Sequence, residues 1–419
     1  MTLPRFNDPM HVVEPRAAGL DVHKLQITAS TRLCDPAGGA PRCVPRAFAT
    51  DPAGLLEMTQ WLNAQGVEAV AMEGTGGYWE PPCTALESAG LRPSLYNARQ
   101  VKQLRGRKTD RKDASWLASV CQFGLGTPSY IPPLAFRDLR RRTRNRRQLG
   151  QDRSRARNRS HKLLDRSGMP LGGVLSDSFG RNGRSVLDGL AQATPAEAIV
   201  AGLSPHVRAK RDRLQELVCV DFDAEARAQL QAHLQACDHA TRQIAAQDAR
   251  RAEAIAPWRR QADLLQTVPG IDWPSACAIL AETGPGPHLE FRSAASFCAW
   301  AGVCPGSNES AGKRRSGRAR KGNRHLRVTL AGCAHGAART KDAQFAAYHR
   351  SLTARKGYKR AILATAHKLL RTIYAVLRDD RHYRDPGIDY EQLQVQRNAP
   401  RWLRKLRKFG YLPAATRSA

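Results

Sequence analysis

The 419-residue sequence is poor in negative charge: 37 Asp and Glu stand against 67 Lys and Arg, a formal net charge of +30. Aromatic residues make up only 6%, and no apolar run approaches the roughly 20 residues of a membrane span. The ten cysteines contain no Cys-x-x-Cys pair. That argues against a zinc ribbon and against a disulfide framework, so reduced thiols in a soluble, intracellular protein are expected. Residues Met1 to Arg16 include Asp8 and Glu14 and no apolar stretch, so a secretory signal is not expected. What is present is a hydrophobic content of 42%, too rich for a disordered basic tail. The length suits two or three domains. A folded protein this basic points to a polyanion, nucleic acid first, although composition alone also fits a merely basic soluble protein.

The first third alternates strand and helix signals. Leu25, Ile27 and Ala29 alternate with polar residues, a period-two strand. Asp51 followed by Pro52 opens a helix, and Val67 to Met72 is a short buried strand ending at Glu73. A helix near Pro82 to Ser88, a strand near Ser94 to Asn97 and a helix from about Thr109 complete a mixed or parallel sheet flanked by helices. Arg137 to Arg166 is dense in arginine, including Arg140, Arg144 and Arg147. A solvated helical face is the plain reading, but so many like charges on one segment call for an anion. Leu230, Leu234, Cys237, Thr241 and Ile244 step by four and three, the seam of a short coiled coil or helical hairpin that also suits dimerisation. Thr267 to Leu280 reads equally as a helix-hairpin-helix presenting amides to phosphate or as an ordinary helical hairpin; Asp272 stands where a second glycine is usual. Four segments follow: 15–130, 131–258, 259–395 and a basic tail, 396–419, suited to backbone contact or to disorder.

Four carboxylates stand out by context. Asp21 sits where the first strand pattern starts, and Glu73 ends an apolar strand before Gly74. Asp110 and Asp113 lie three apart, on one face of the predicted helix. Each alone reads as a solvated acid or a partner for nearby Arg and Lys. Together, in the order Asp, Glu, Asp-x-x-Asp on an α/β frame, they match the hard oxygen donors that metal-assisted phosphodiester chemistry needs.

The segments Gly19-Leu20-Asp21-Val22-His23-Lys24, Met72-Glu73-Gly74-Thr75-Gly76-Gly77-Tyr78-Trp79 and Gly106-Arg107-Lys108-Thr109-Asp110-Arg111-Lys112-Asp113-Ala114 resemble the RuvC-like domain of DEDD transposases. The likeness is to the bacterial insertion-sequence family numbered one hundred and ten, the bridge-RNA-guided recombinases, in the branch numbered eleven-eleven. It continues through Leu265 to Ile271 and through Ala299 to Asn323. The resemblance implies an α/β RuvC-like (RNase H fold) N-terminal domain, a helical coiled-coil middle and a mainly α C-terminal transposase domain. It implies Mg²⁺ held by Asp21, Glu73, Asp110 and Asp113.

The resemblance further implies a catalytic serine in the C-terminal domain, attacking DNA to form a phosphoserine intermediate, and Ser310 matches it. Read from the residues alone, Ser310 is a loop serine between helices, with Ser307 and Ser316 as competitors and Lys313, Arg314, Arg315, Arg318, Arg320 and Lys321 following it. A serine alcohol is a weak nucleophile, and guanidinium groups together with a carboxylate-held metal would stabilise the charge that develops. Nucleic-acid contacts are expected from Arg140, Arg144, Arg147 and the basic run from Lys313 to Lys321. The resemblance implies a guide (bridge) RNA pairing with donor and target DNA, a homo-oligomer (a dimer, and a tetramer in the synaptic complex), and a cytoplasmic, nucleoid-associated enzyme without membrane contact. A metal-dependent nuclease of the Holliday-junction-resolvase kind, leaving the serine unused, is the alternative.

Overall fold

The alternation in the first third of the chain becomes a five-stranded mixed sheet. Its strands are β1 (Arg16–Val22), β2 (Gln26–Leu33), β3 (Arg42–Ala49), β4 (Ala69–Glu73) and β5 (Arg92–Tyr96), ordered β3-β2-β1-β4-β5. The β1–β2 and β2–β3 pairs are antiparallel, and the β1–β4 and β4–β5 pairs are parallel. Among the described residues, helices α1 (Pro52–Ala64), α2 (Glu80–Ser88) and α3 (Asp110–Gln122) cover it. Asp51 caps α1 by accepting from the Gly54 amide at 2.7 Å. Asp21 is the penultimate residue of β1, not the start of the first strand pattern, because the Leu25–Ala29 alternation belongs to β2, the next strand along. The computed structural model describes residues 11–34, 40–74, 76–98, 101, 110–219, 222–306, 308–310, 313–317, 319, 321–341, 343–388 and 390–413.

The inner strands of the sheet are buried on both faces, while the edge strand β3 is largely exposed. Leu20, Ile27, Val70 and Met72 pack with Met58 and Leu62 of α1 and Leu86 of α2, while Ala17, Ala69, Ala71 and Tyr96 pack with Leu117 and Val120 of α3. Gly19 makes the second layer fit: a Cβ there would stand 2.1 Å from the Ala114 carbonyl oxygen and 2.4 Å from the Ala118 nitrogen. Only a residue without a side chain lets α3 lie this close to β1.

Residues Met1–Leu134 form one unit and Ala135–Ala419 a second, which is helical. Its first long helix is the arginine-rich α4 (Leu134–Arg166), and α5 (Arg181–Ala191), α6 (Ala196–Ala201) and α7 (Arg211–Val218) lead to the second, α8 (Ala224–Ile255). The two long helices run antiparallel. Arg146 grips Asp248 with two hydrogen bonds of 2.9 and 3.2 Å near one end, and Leu164 packs in one cluster with Leu230 and Leu234 near the other. Of the two readings of this seam, a coiled coil or a helical hairpin, the antiparallel pairing within one chain is nearer the second. Leu230, Leu234, Cys237 and Ile244 are buried within this chain, and Ala240, not Thr241, takes the position between them.

The remaining helices are α9 (Arg259–Gln266), α10 (Trp273–Thr283), α11 (Pro287–Glu290), α12 (Ala294–Ala301), α13 (Arg324–Ala337), α14 (Gln344–Lys356), α15 (Tyr358–Asp379) and α16 (Tyr390–Lys408). Phe291, Phe297, Trp300 and Tyr374 make an aromatic core, with the Tyr374 hydroxyl donating to the Phe291 carbonyl at 2.9 Å. Of the two readings of Thr267–Leu280, the structure takes the ordinary hairpin. Gly270 lies against the α13 backbone, and the Ile271 amide is already bonded to the Val268 carbonyl. Asp272 is there as the cap of α10, accepting from the Ser275 amide at 2.9 Å. The basic tail is helical as far as Lys408.

Cys83, Cys121, Cys237, Cys277, Cys298 and Cys333 are buried, and none of the ten cysteines forms a disulfide. Among the described residues no helix is long and apolar enough to cross a membrane.

Candidate active site

Strand register sets two of the four carboxylates at neighbouring strand ends. Leu20 pairs with Met72 across the parallel β1–β4 ladder, which sets Asp21 and Glu73 one residue further along at the ends of neighbouring strands. Side chains alternate along a strand, so Asp21 shares the face of Ala17 and Gly19, and Glu73 that of Ala69 and Ala71. This is the face that α3 covers. Helix α3 runs antiparallel to β1: its last residue, Gln122, accepts from the Val13 and Glu14 amides before β1, and Ala114 and Ala118 lie over Gly19. Its amino-terminal turns, with Asp110 and Asp113, therefore lie towards the Asp21 end.

Asp21 is held by His23, whose Nε2 lies 3.1 Å from Oδ2, and its side chain is 20% exposed. Asp113 and Glu73 are half-buried, and Asp110 is described by its backbone alone. Among the described residues no three His, Cys, Asp or Glu side chains close around one metal position. The donor set still suits a divalent cation. Asp21 and Glu73 offer hard oxygens from one face and one end of a sheet, with two more carboxylates in the first turn of the covering helix.

Ser310 is not in an open loop. It ends strand β6 (Asn308–Ser310), which pairs antiparallel with β7 (Lys313–Ser316), Ser310 opposite Lys313. The hairpin stands between α12 and α13, and its base is tightly closed. A Cβ at Gly322 would stand 2.4 Å from the Gly302 nitrogen and 2.5 Å from the Trp300 carbonyl oxygen, so the chain leaves and returns through one point. Lys313, Arg314 and Arg315 lie on β7, Lys321 is exposed beside the base, and Ser307, Arg318 and Arg320 lie outside the described residues.

The base is fixed by a carboxylate that the sequence reading did not single out. Glu282, at 2% exposure in α10, accepts from Arg144 Nε and Nη2 at 2.8 and 2.9 Å and from Asn323 Nδ2 at 2.7 Å. Asn323 in turn caps α13, its Oδ1 accepting from the His325 and Leu326 amides at 3.1 Å. Burial would raise the Glu282 pKa, but the Arg144 hydrogen bond and the charges of Arg140 and Arg144 outweigh it and hold the carboxyl below its ordinary value. Arg140 is turned inward too, with Nε donating to the Ala281 carbonyl at 3.0 Å and lying 3.2 Å from the Glu282 carboxylate. The signal for Glu282 was the one used for Glu73: an acid closing an apolar run, Ala276 to Ala281.

Beside this network, α4, α10 and α13 enclose an open groove of about 840 Å³. Arg144, Arg147, Arg155, Arg251 and Arg324 line it, together with His325. Burial, then the charge of Arg144, holds the His325 imidazole below its ordinary pKa, with Glu282 opposing. Arg147 faces the groove, whereas Arg140 is engaged inside the unit.

Comparison with known families agrees with both halves. A family model of DEDD transposases of the IS110 type, described as a transposase, matches residues 18–169, and one described as a transposase of the IS116/IS110/IS902 family matches residues 262–350. No curated protein matches the chain. The fold and these matches define an enzyme that moves DNA, a transposase/recombinase. It carries the transposase domains of the IS110 family of insertion sequences, with a DEDD domain of RuvC-like type at its amino-terminal end.

Proposed function

We propose that this transposase exchanges DNA strands through a serine nucleophile, guided by an RNA from its own element. The Ser310 oxygen bonds to phosphorus as the bond from that phosphorus to one strand end breaks, and the serine proton leaves with the freed hydroxyl. Attack by the hydroxyl of the incoming strand reverses these steps and regenerates the serine, so the exchange conserves bond energy. Asp21, Glu73, Asp110 and Asp113 hold Mg²⁺, which when bound stabilises charge on the phosphoryl oxygens. Lys313, Arg314, Arg315, Arg318, Arg320 and Lys321 bind phosphate around the serine, and Arg144 and Arg147 bind it from the groove. Arg140 acts by locking α4 to α10. Guide pairing with donor and target carries sequence choice while protein contacts go mainly to the backbone. The working assembly is a homo-oligomer, a dimer that becomes a tetramer at synapsis.

The observation that supports this reading most directly is the hairpin. Ser310 stands at a strand end opposite Lys313, on a base closed by Gly322 and tied through Asn323 to Glu282. The Asp21–Glu73 pair is equally at home in a metal-dependent nuclease that leaves the serine unused. A denaturing gel of protein with Mg²⁺, flanking-element RNA and labelled donor and target DNA separates the two. A slow, protease-sensitive DNA band that vanishes in Ser310→Ala, and is lost in Asp21→Ala, is expected. Cleaved DNA without an adduct, unchanged by Ser310→Ala, overturns the serine assignment.

A further inference from the structure

A second cavity lies apart from the hairpin and the arginine groove. It holds about 1280 Å³ between α14, α15, residues 380–388 and the start of α16. That is room for a nucleotide and its flanking backbone, since pockets for small ligands run from roughly 300 to 1,000 Å³. Its wall combines three kinds of group. Lys368 stands half-buried among aromatic rings, its ammonium 4.4 Å from the Tyr390 ring centre and 4.8 Å from that of Tyr348, and it donates to the Tyr390 hydroxyl. Arg371 and Arg384 add charge, while the acids Asp379 and Asp380 are already paired with Arg378 and Arg260. Gln344, 6% exposed, lines the cavity with a buried side-chain nitrogen, Nε2, that has no hydrogen-bond partner.

An unpaired buried amide is costly and asks for an acceptor. Cations alone would suit any anion. Cations beside tyrosine faces, with an amide donor that can bond a base edge or a phosphate oxygen, suit one class of ligand. We propose that this cavity takes an unpaired nucleotide of a single-stranded nucleic acid, its base against Tyr348 and Tyr390, its phosphate on Lys368 and Arg371, and Gln344 donating to it.

The state of Lys368 agrees with this. Burial pushes its pKa down to about 8, with Asp385 opposing the shift. An ammonium destabilised in this way gains from an arriving phosphate. The same chemistry comes from two sources, an RNA strand or a DNA strand freed from its duplex, and the test separates them.

Full-length protein is photo-crosslinked to single-stranded oligonucleotides carrying one 4-thiouridine in an RNA arm or one 4-thiothymidine in a DNA arm, and the modified peptides are mapped. Crosslinks to the peptides holding Tyr348 or Tyr390 are expected. Tyr348→Leu is expected to weaken binding roughly 5- to 100-fold, the range for losing one stacked base. Arg371→Gln, at an exposed position that leaves the core untouched, should weaken it at least threefold at low salt. If circular dichroism shows Tyr348→Leu misfolded, Arg371→Gln and the crosslink map decide. Crosslinks in the RNA arm only assign the guide strand, and crosslinks in the DNA arm only assign a displaced strand. Crosslinks confined to residues outside 344–390, with Arg371→Gln binding like wild type, overturn the proposal and leave the Lys368 cluster as a staple for α16. The Ser310 adduct is read separately and survives either result.

Discussion

Glu282 shows how one residue sets the terms for several others. It is the carboxylate on which Arg140, Arg144 and Asn323 converge. Removing one partner from a buried ion pair leaves charge uncompensated, so Glu282→Gln should cost about 3 kcal/mol, read as a shift of the urea midpoint followed by tryptophan fluorescence. The pH dependence has a definite sign. Because the folded-state pKa lies below the ordinary carboxylate value of 4.5, the contribution is complete above that value and is lost as the pH falls through the lower, folded-state one. Wild type should therefore lose stability more steeply than Glu282→Gln below about pH 4.5. Glu282 carried a local signal, the apolar run before it, but its partners were not legible in the sequence. The partners lie 41, 138 and about 140 residues away, and only the folded chain brings them into contact. Glu73 was singled out because it closes a local apolar run, whereas Asp21 was singled out by its place before the β2 alternation, without β1 itself being read. The inward turn of Arg140 was not, because an arginine run reads the same whichever arginine meets a carboxylate.

Among the elements, those with a strong local period or cap were read correctly: β2 from its alternation, α1 from Asp51, and β4 from its apolar run. Strands β1 and β3 escaped for opposite reasons. Both faces of β1 are covered, so Ala17, Ala18 and Leu20 give no alternation. Strand β3 is an edge strand carrying Pro45 between Arg42 and Arg46, which argues locally against a strand. The β6–β7 hairpin escaped because it is short and framed by glycines. The placement of α3 on the sheet depends on Gly19, and this gives a sharp test. Gly19→Ala sets a methyl group 2.1 Å from a backbone oxygen of α3. The helix must then shift at a cost of about 3 kcal/mol, carrying Asp110 and Asp113 with it. Thermal unfolding of the full chain should show the loss, and Mg²⁺-dependent DNA cleavage should fall even where the protein remains folded. Wild-type cleavage by a stably folded Gly19→Ala protein would show that the carboxylates tolerate displacement of the helix.

At the scale of the whole molecule, the net charge of +30 is distributed unevenly. Arginines of the helical unit are partly neutralised from within, as Arg146 of α4 is by Asp248 and Arg184 of α5 by Asp188 and Asp238, so the charge offered to a polyanion is smaller than the sequence count. Composition gave the sign of the partner, but only packing reveals which charges remain available. The sulfur atoms provide a different kind of access. Burial pushes the thiols of Cys121 and Cys298 up to about 12 and that of Cys333 to about 11, so these sulfurs are protonated as well as enclosed. An alkylating reagent reaches them only when the surrounding structure opens, which makes each one a clock for local unfolding. Cys43 and Cys219, both exposed, should react at once. Cys83 and Cys121 time the opening of the sheet unit, and Cys237, Cys277, Cys298 and Cys333 that of the helical unit. Mass spectrometry of the unmodified, natural sequence should then resolve two slow labelling rates, one for each unit. If they merge into one, the two units open as a single cooperative body.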